Sequence, residues 1–148
     1  MLFVPYTQEN YEIANSYLSI ADADDIILKQ SNADNWENAT DEIKQMLLIQ
    51  SSYAVDGALM YQGAKTSENQ LLKYPRDGVY TLPQNIKFAT ALTALKFSND
   101  DIFKNVKSEM IAKHMTVYFE KAEIDDDVLV FLKPLRATTI KVAGIEYE

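Results

Sequence analysis

Apolar positions recur at helical spacing in three stretches of this chain, and turn residues separate them. In SIADADDIILKQ, Ile20, Ala23 and Ile27 fall on one face; Ser19 stands where an N-cap belongs, and the acids that follow suit the positive end of a helix. A first helix is expected over about residues 20–30. Thr40, Asp41 and Glu42 repeat that start, and Ile43, Met46, Leu47, Tyr53 and Ala54 keep helical spacing to Gly57, a plausible stop. The second helix should cover about 41–58. The third stretch, QLLKYPRDGVYTLPQNIKFATALTALKF at 70–97, holds a turn and then the most apolar helix. Ile86, Phe88, Ala89, Ala91, Leu92, Ala94, Leu95 and Phe97 spread around most of its circumference. A helix apolar on nearly all sides is buried, so the helix at about 83–97 should be central, with the other two against it. Pro83 fits its first turn, where a missing N–H costs little.

Between these helices the pattern is punctuated. SNADNWENA reads as a polar loop. Its Trp36, the one tryptophan, either pins the loop to the core or contacts a partner, and the first reading is favoured. Residues 59–82 read mostly as loop. In YPRDG, Pro75 presets φ at the second turn position and Gly78 can take a positive φ. Residues 1–18 alternate apolar, polar and aromatic types without helical spacing and read as an extended arm.

After Val106 the pattern changes. VKSEMIAKHMTVYFEKA reads as one or two strands with a bend near 112–114. DDDVLVFLKPL suits a short helix ended by Pro134. The tail at 137–148 has strand composition, including Ile140, Val142 and Ile145, and a lone terminal strand needs a partner edge. The fold class is therefore mainly α with a small β element (α+β): a small helical bundle around 83–97, strands or a hairpin near 106–120, and extended N- and C-terminal arms in a single domain over 1–148.

Composition narrows the function classes. Apolar residues make up 47% of the 148, and there is no cysteine, so no disulfide framework, zinc–thiolate site or thiol nucleophile is possible. MLFVPYTQEN lacks a basic n-region, so no secretory signal is expected, and no apolar run approaches membrane-helix length. The net charge is −8, which repels phosphate and counts against conventional DNA binding. It is compatible with a protein that surrounds DNA without gripping it.

Candidate chemistry is sparse. His114, the one histidine, lies in a presumed strand without a nucleophile and orienting partner. Asp22, Asp24 and Asp25 resemble the start of a calcium loop, but the sixth position lacks glycine and Ala33 occupies the twelfth. Asp125, Asp126 and Asp127 have no companion ligands at suitable spacing. No glycine-rich phosphate loop exists. No catalytic residue, metal or cofactor is therefore expected. One mixed patch could bind single-stranded DNA: Tyr53, Tyr61, Tyr74 and Tyr80 beside Lys65, Lys73 and Arg76 would combine stacking faces with cations. Against that, the tyrosines could cover the helix pair while the basic groups stay solvated, and the net charge favours this second reading.

Several blocks in order, SYLSIADAD at 16–24, the single Trp before an Ala-Thr-Asp helix start, QLLKYPRDG at 70–78, LPQNIKFATALTAL at 82–95 and VKSEMIAKHMTVYF at 106–119, resemble the tailed-phage head-tail adaptors, head-completion proteins of the connector type also described as DnaT-like single-stranded-DNA-binding proteins. The resemblance spans about 16–136. Tyr74 stands where the family often has Trp or Phe, and Ala112 to His114 replace a glycine-containing bend. The resemblance implies a virion protein of the neck, assembled in the host cytoplasm. It would form a homo-oligomeric ring, typically of twelve copies, under the portal protein, extend the DNA channel and meet the next tail component. Double-stranded DNA would pass through without specific binding, and neither enzymatic activity nor a membrane is involved. Trp36, Tyr74, Arg76, Ile140, Val142 and Ile145 are the candidate subunit or partner contacts, with Arg76 expected to tie the YPRDG corner to an acidic group. The alternative is a single-stranded-DNA-binding replication accessory using Tyr53, Tyr61, Lys73, Tyr74 and Arg76.

Overall fold

A computed structural model describes residues 2–100, 124–137, 140–142 and 145–147. Among these the chain is mostly helical. The helices are α1 (Ile20–Ile27), α2 (Asp34–Glu37), α3 (Asp41–Ala58), α4 (Gln84–Ser98) and α5 (Asp126–Leu132), the last running into a 3-10 turn at Lys133–Leu135. Both expected N-caps form: Ser19 Oγ accepts from the Asp22 amide at 3.1 Å, and Thr40 Oγ1 from the Ile43 amide at 3.3 Å. Each closes an otherwise orphaned donor of its first turn.

The boundaries depart from expectation in instructive ways. α1 stops at Ile27, before the residue expected, and the chain then turns through Asn32 at φ 64°. The polar loop contains α2, a single turn carrying Trp36. Gly57 lies inside α3 rather than ending it. Pro83 is the N-cap of α4, one position outside the helix, and Pro134 sits within the 3-10 turn.

α4 packs against α1, α2, α3 and α5, the central position its all-round apolarity predicts. Close approach of α3 and α4 uses small residues. The hydroxyls of Ser51, Ser52, Thr90 and Ser98 are buried among them, and each donates to a carbonyl three or four residues earlier, so none is left unpaired by the packing. The core falls into two clusters strung along α4. One, at its C-terminal half, gathers Leu18, Ile27, Trp36, Leu47, Leu48, Leu95 and Phe97. The other, at its N-terminal half, gathers Tyr17, Val55, Tyr61, Leu72, Tyr74, Leu82, Ile86, Val128 and Leu132. Lys96 holds the start of α5 through Asp125 at 2.9 Å and Asp127 at 3.2 Å, and Phe88 meets Phe131 at 6.1 Å between centroids.

The N-terminal arm is not free. Residues 14–18 are buried, and the segment doubles back on itself: the Tyr6 amide donates to the Ser16 carbonyl at 2.8 Å and the Asn15 amide to the Val4 carbonyl at 2.9 Å. Tyr17 and Leu18 supply the reason, since each enters one of the two clusters. The C-terminal tail also differs from a lone strand. β1 (Ile140–Val142) pairs antiparallel with β2 (Ile145–Tyr147), placing Ile140 opposite Tyr147 and Val142 opposite Ile145. The tail thus supplies its own partner edge. The strands expected near 106–120, and His114 with them, lie outside the described residues.

Candidate functional site

The YPRDG corner does not turn on Pro75. Its turn is Arg76 to Val79, with Asp77 at φ 56° and Gly78 at φ 74°, closed by the Val79 amide donating to the Arg76 carbonyl at 3.0 Å. Two consecutive positive φ values are the I′ turn that Asp-Gly favours. The Tyr74–Pro75 bond ahead of it is cis. Asp77 also binds the opposite strand of the loop, its Oδ1 accepting from the Ala64 amide at 2.9 Å while its own amide donates to the Ala64 carbonyl at 2.8 Å.

Arg76 is half-buried at this corner. Its Nε donates to the Gln62 carbonyl at 2.7 Å, Nη1 to the Lys73 carbonyl at 3.1 Å, and Nη2 to the Gly63 and Tyr61 carbonyls at 2.5 and 3.4 Å. The guanidinium also lies 5.8 Å from the Tyr74 ring. The expectation that Arg76 would bind an acidic group is corrected: its fork is occupied by main-chain oxygens of two loop strands. Gln70 performs the same service nearby, donating through Nε2 to the Leu72 and Pro75 carbonyls at 2.8 and 2.9 Å and accepting from the Ser67 amide at 2.9 Å.

Beneath the corner is a buried polar cluster. Asp56, in the last turn of α3, accepts from the Tyr17 hydroxyl on Oδ1 and from the Lys73 amide on Oδ2 at 3.0 Å. The Tyr17 hydroxyl accepts in turn from the Tyr74 amide at 3.1 Å, and the Tyr17 amide donates to Ser52 Oγ at 3.0 Å. Three remote segments therefore meet at one carboxylate. Burial pushes the Asp56 carboxyl up to about 6, against the lowering effect of the Tyr17 and Lys73 hydrogen bonds. Burial, then the neighbouring Asp56 charge, pushes the Tyr17 hydroxyl well above its ordinary value.

These facts settle where each candidate contact sits. Trp36 is 0% exposed, donates through Nε1 to Asp24 at 2.7 Å and has Lys44 over its ring at 5.6 Å. It pins its turn to the core, as the favoured reading held, and offers no face to a partner. Tyr61 and Tyr74 are 5% and 6% exposed and meet edge to face at 5.3 Å, so neither ring is open for a base to stack on. Lys73 covers the Tyr61 ring at 5.8 Å. Of the aromatics in the proposed single-strand patch, Tyr53 and Tyr80, 43% and 42% exposed, present a surface. Ile140, Val142 and Ile145 are on the strands of the tail hairpin, far in sequence from the corner. Sequence reasoning passed over Asp56, Tyr17 and Gln70. The available signal was a carboxylate at 56, four residues after Ser52 and seven after Ile49, on the apolar face of α3.

Among the described residues no group of three or more His, Asp or Glu side chains is placed to hold a metal ion, and no helix is long and apolar enough to cross a membrane. A family model described as "Putative DnaT-like ssDNA binding protein" matches residues 5–130. That span contains Tyr17, Asp56, Gln70 and Arg76 and stops short of the tail hairpin. No curated protein and no solved structure matches the chain.

Proposed function

The chain belongs to the family described as "Putative DnaT-like ssDNA binding protein". We propose, from the resemblance of its ordered sequence blocks to head-tail adaptors, that it acts as a structural subunit: a ring-forming head-tail adaptor of a tailed-phage virion. In this reading it docks under the portal protein in the neck, prolongs the DNA channel and carries the next tail component. The observation that carries the reading is the internal use of the aromatic and basic groups of the 61–76 loop. Arg76 stitches carbonyls and Tyr61 and Tyr74 fill the core, so neither the guanidinium fork nor those two rings is left for a nucleotide. A net charge of −8 suits a conduit through which DNA slides. A ring needs a head-to-tail contact whose rotation closes, and among the described residues no third strand pairs with β1 or β2, so their edges could pair with a neighbour. Electron microscopy of the protein mixed with its portal should show an added ring of density. Protein present in infected cells but never in particles would refute the reading.

The family's description favours a second reading, binding of single-stranded DNA. Anisotropy titration with oligo-dT tests it. Micromolar, salt-sensitive binding that drops on Tyr53→Ala plus Tyr80→Ala, the two exposed aromatics of the patch, would support it. Binding lost only on Tyr74→Ala or Arg76→Ala would instead report collapse of the corner.

A further inference from the structure

Asp56 is buried where a carboxylate has least reason to be. It lies in the last turn of α3, at the negative end of the helix dipole. Two neutral donors serve it, the Tyr17 hydroxyl and the Lys73 amide. The charged and titratable groups facing it are Tyr17 from the N-terminal segment and Lys73, Lys65, Tyr61, Tyr74 and Arg76 from the loop. Neither lysine closes to ion-pair distance; the ion pairs among the described residues are those of Lys96. Yet the carboxyl is a point at which the N-terminal segment, α3 and the 65–77 loop all meet.

We propose that Asp56 is a titrating latch: proton uptake by its carboxyl tightens the junction of these three segments, and ionisation loosens it so that the loop and the N-terminal segment open together. The reason is desolvation. An ionised carboxylate gains more from water than from two neutral donors, so opening is favoured once the proton has left. A protonated carboxyl keeps acceptor capacity for both donors and has no charge to hydrate.

The direction follows from proton binding in the two states. The open carboxyl titrates near 3.8 and the closed one at about 6, so the closed state binds more protons between those values. The stabilisation is complete below the lower value and is lost as pH rises through about 6. Between pH 5 and 7.5 the opening equilibrium should rise about tenfold for such a pair of values.

Hydrogen exchange of the Lys73 and Tyr74 amides, corrected for intrinsic rates, reads the latch because both amides donate into the cluster. Their protection should fall about tenfold from pH 5 to 7.5, and in Asp56→Asn it should be flat. Parallel pH profiles in the two proteins, or protection that rises with pH, would overturn the proposal. Should Asp56→Asn not fold, carbon NMR titration of the Asp56 carboxyl in the unmodified chain decides: a midpoint near 6 supports the latch, one near 4 ends it. Tyr17→Phe removes a donor to the carboxylate and should move that midpoint further up; an unchanged midpoint would also count against it.

Discussion

Arg76 directs four hydrogen bonds at main-chain oxygens of residues 61, 62, 63 and 73. This use depends on a planar fork, which a lysine does not have. Arg76→Lys should therefore lower stability by about 2 kcal/mol, because carbonyls made for the fork lose their donors. Guanidinium denaturation measures it, and an unchanged midpoint would show that water replaces the fork without loss. Composition made Arg76 conspicuous as one of two arginines, and the turn residues around it were readable as a turn. Its partners were not, since carbonyl oxygens carry no mark in a sequence and an acidic partner was the natural guess. Asp56 was hidden for the opposite reason: within a run of helix it looks like one more surface acid. Gly63 shows how tightly this loop is specified. Its φ is 78°, and a Cβ there would collide with the Asp77 carboxylate.

At the scale of elements, α3 and α4 came through because their signals agree with one another: caps, spacing and length all point to a helix. Thr40→Ala tests how much of α3 rests on its cap. A loss of about 1 kcal/mol is expected in thermal or chemical unfolding, and a loss below a few tenths would mean that packing against α4 holds the first turn unaided. The N-terminal segment, expected as an extended arm, packs back on itself, whereas the 59–82 stretch is loop as expected and only its internal bonding was hidden. Neither has a periodic pattern, because both are held by side-chain bonds to main-chain groups, such as Asn15 Oδ1 accepting from Val4 and Asn10 Nδ2 donating to Pro5. Contacts of that sort join residues that periodicity treats as unrelated. The I′ turn was obscured by a neighbouring proline that offered a more familiar turn one step earlier.

At the scale of the whole molecule, the described residues form a helical body with two core clusters and a hairpin in the tail. The hairpin begins just beyond the point where the Ala137 amide is tied to the Met60 carbonyl at 2.7 Å. A chain ending at Ala137 should keep that tie and the melting temperature of the full chain. On the adaptor reading it should lose ring formation or portal docking, measured by sedimentation and by pull-down on the portal. A truncated chain that still assembles would assign the contact to the body, and one that unfolds would make the hairpin part of the core.

Trp36 gives these experiments an internal witness. As the single indole, sealed in the cluster at the C-terminal half of α4 and bonded to Asp24, it colours the protein's emission from one end only. The Asp56 junction belongs to the other cluster. Tryptophan fluorescence and the exchange of the Tyr74 amide are thus two separate windows on one chain. A pH step that alters the second and leaves the first untouched would reveal a molecule whose halves respond independently, and simultaneous change would reveal one cooperative body.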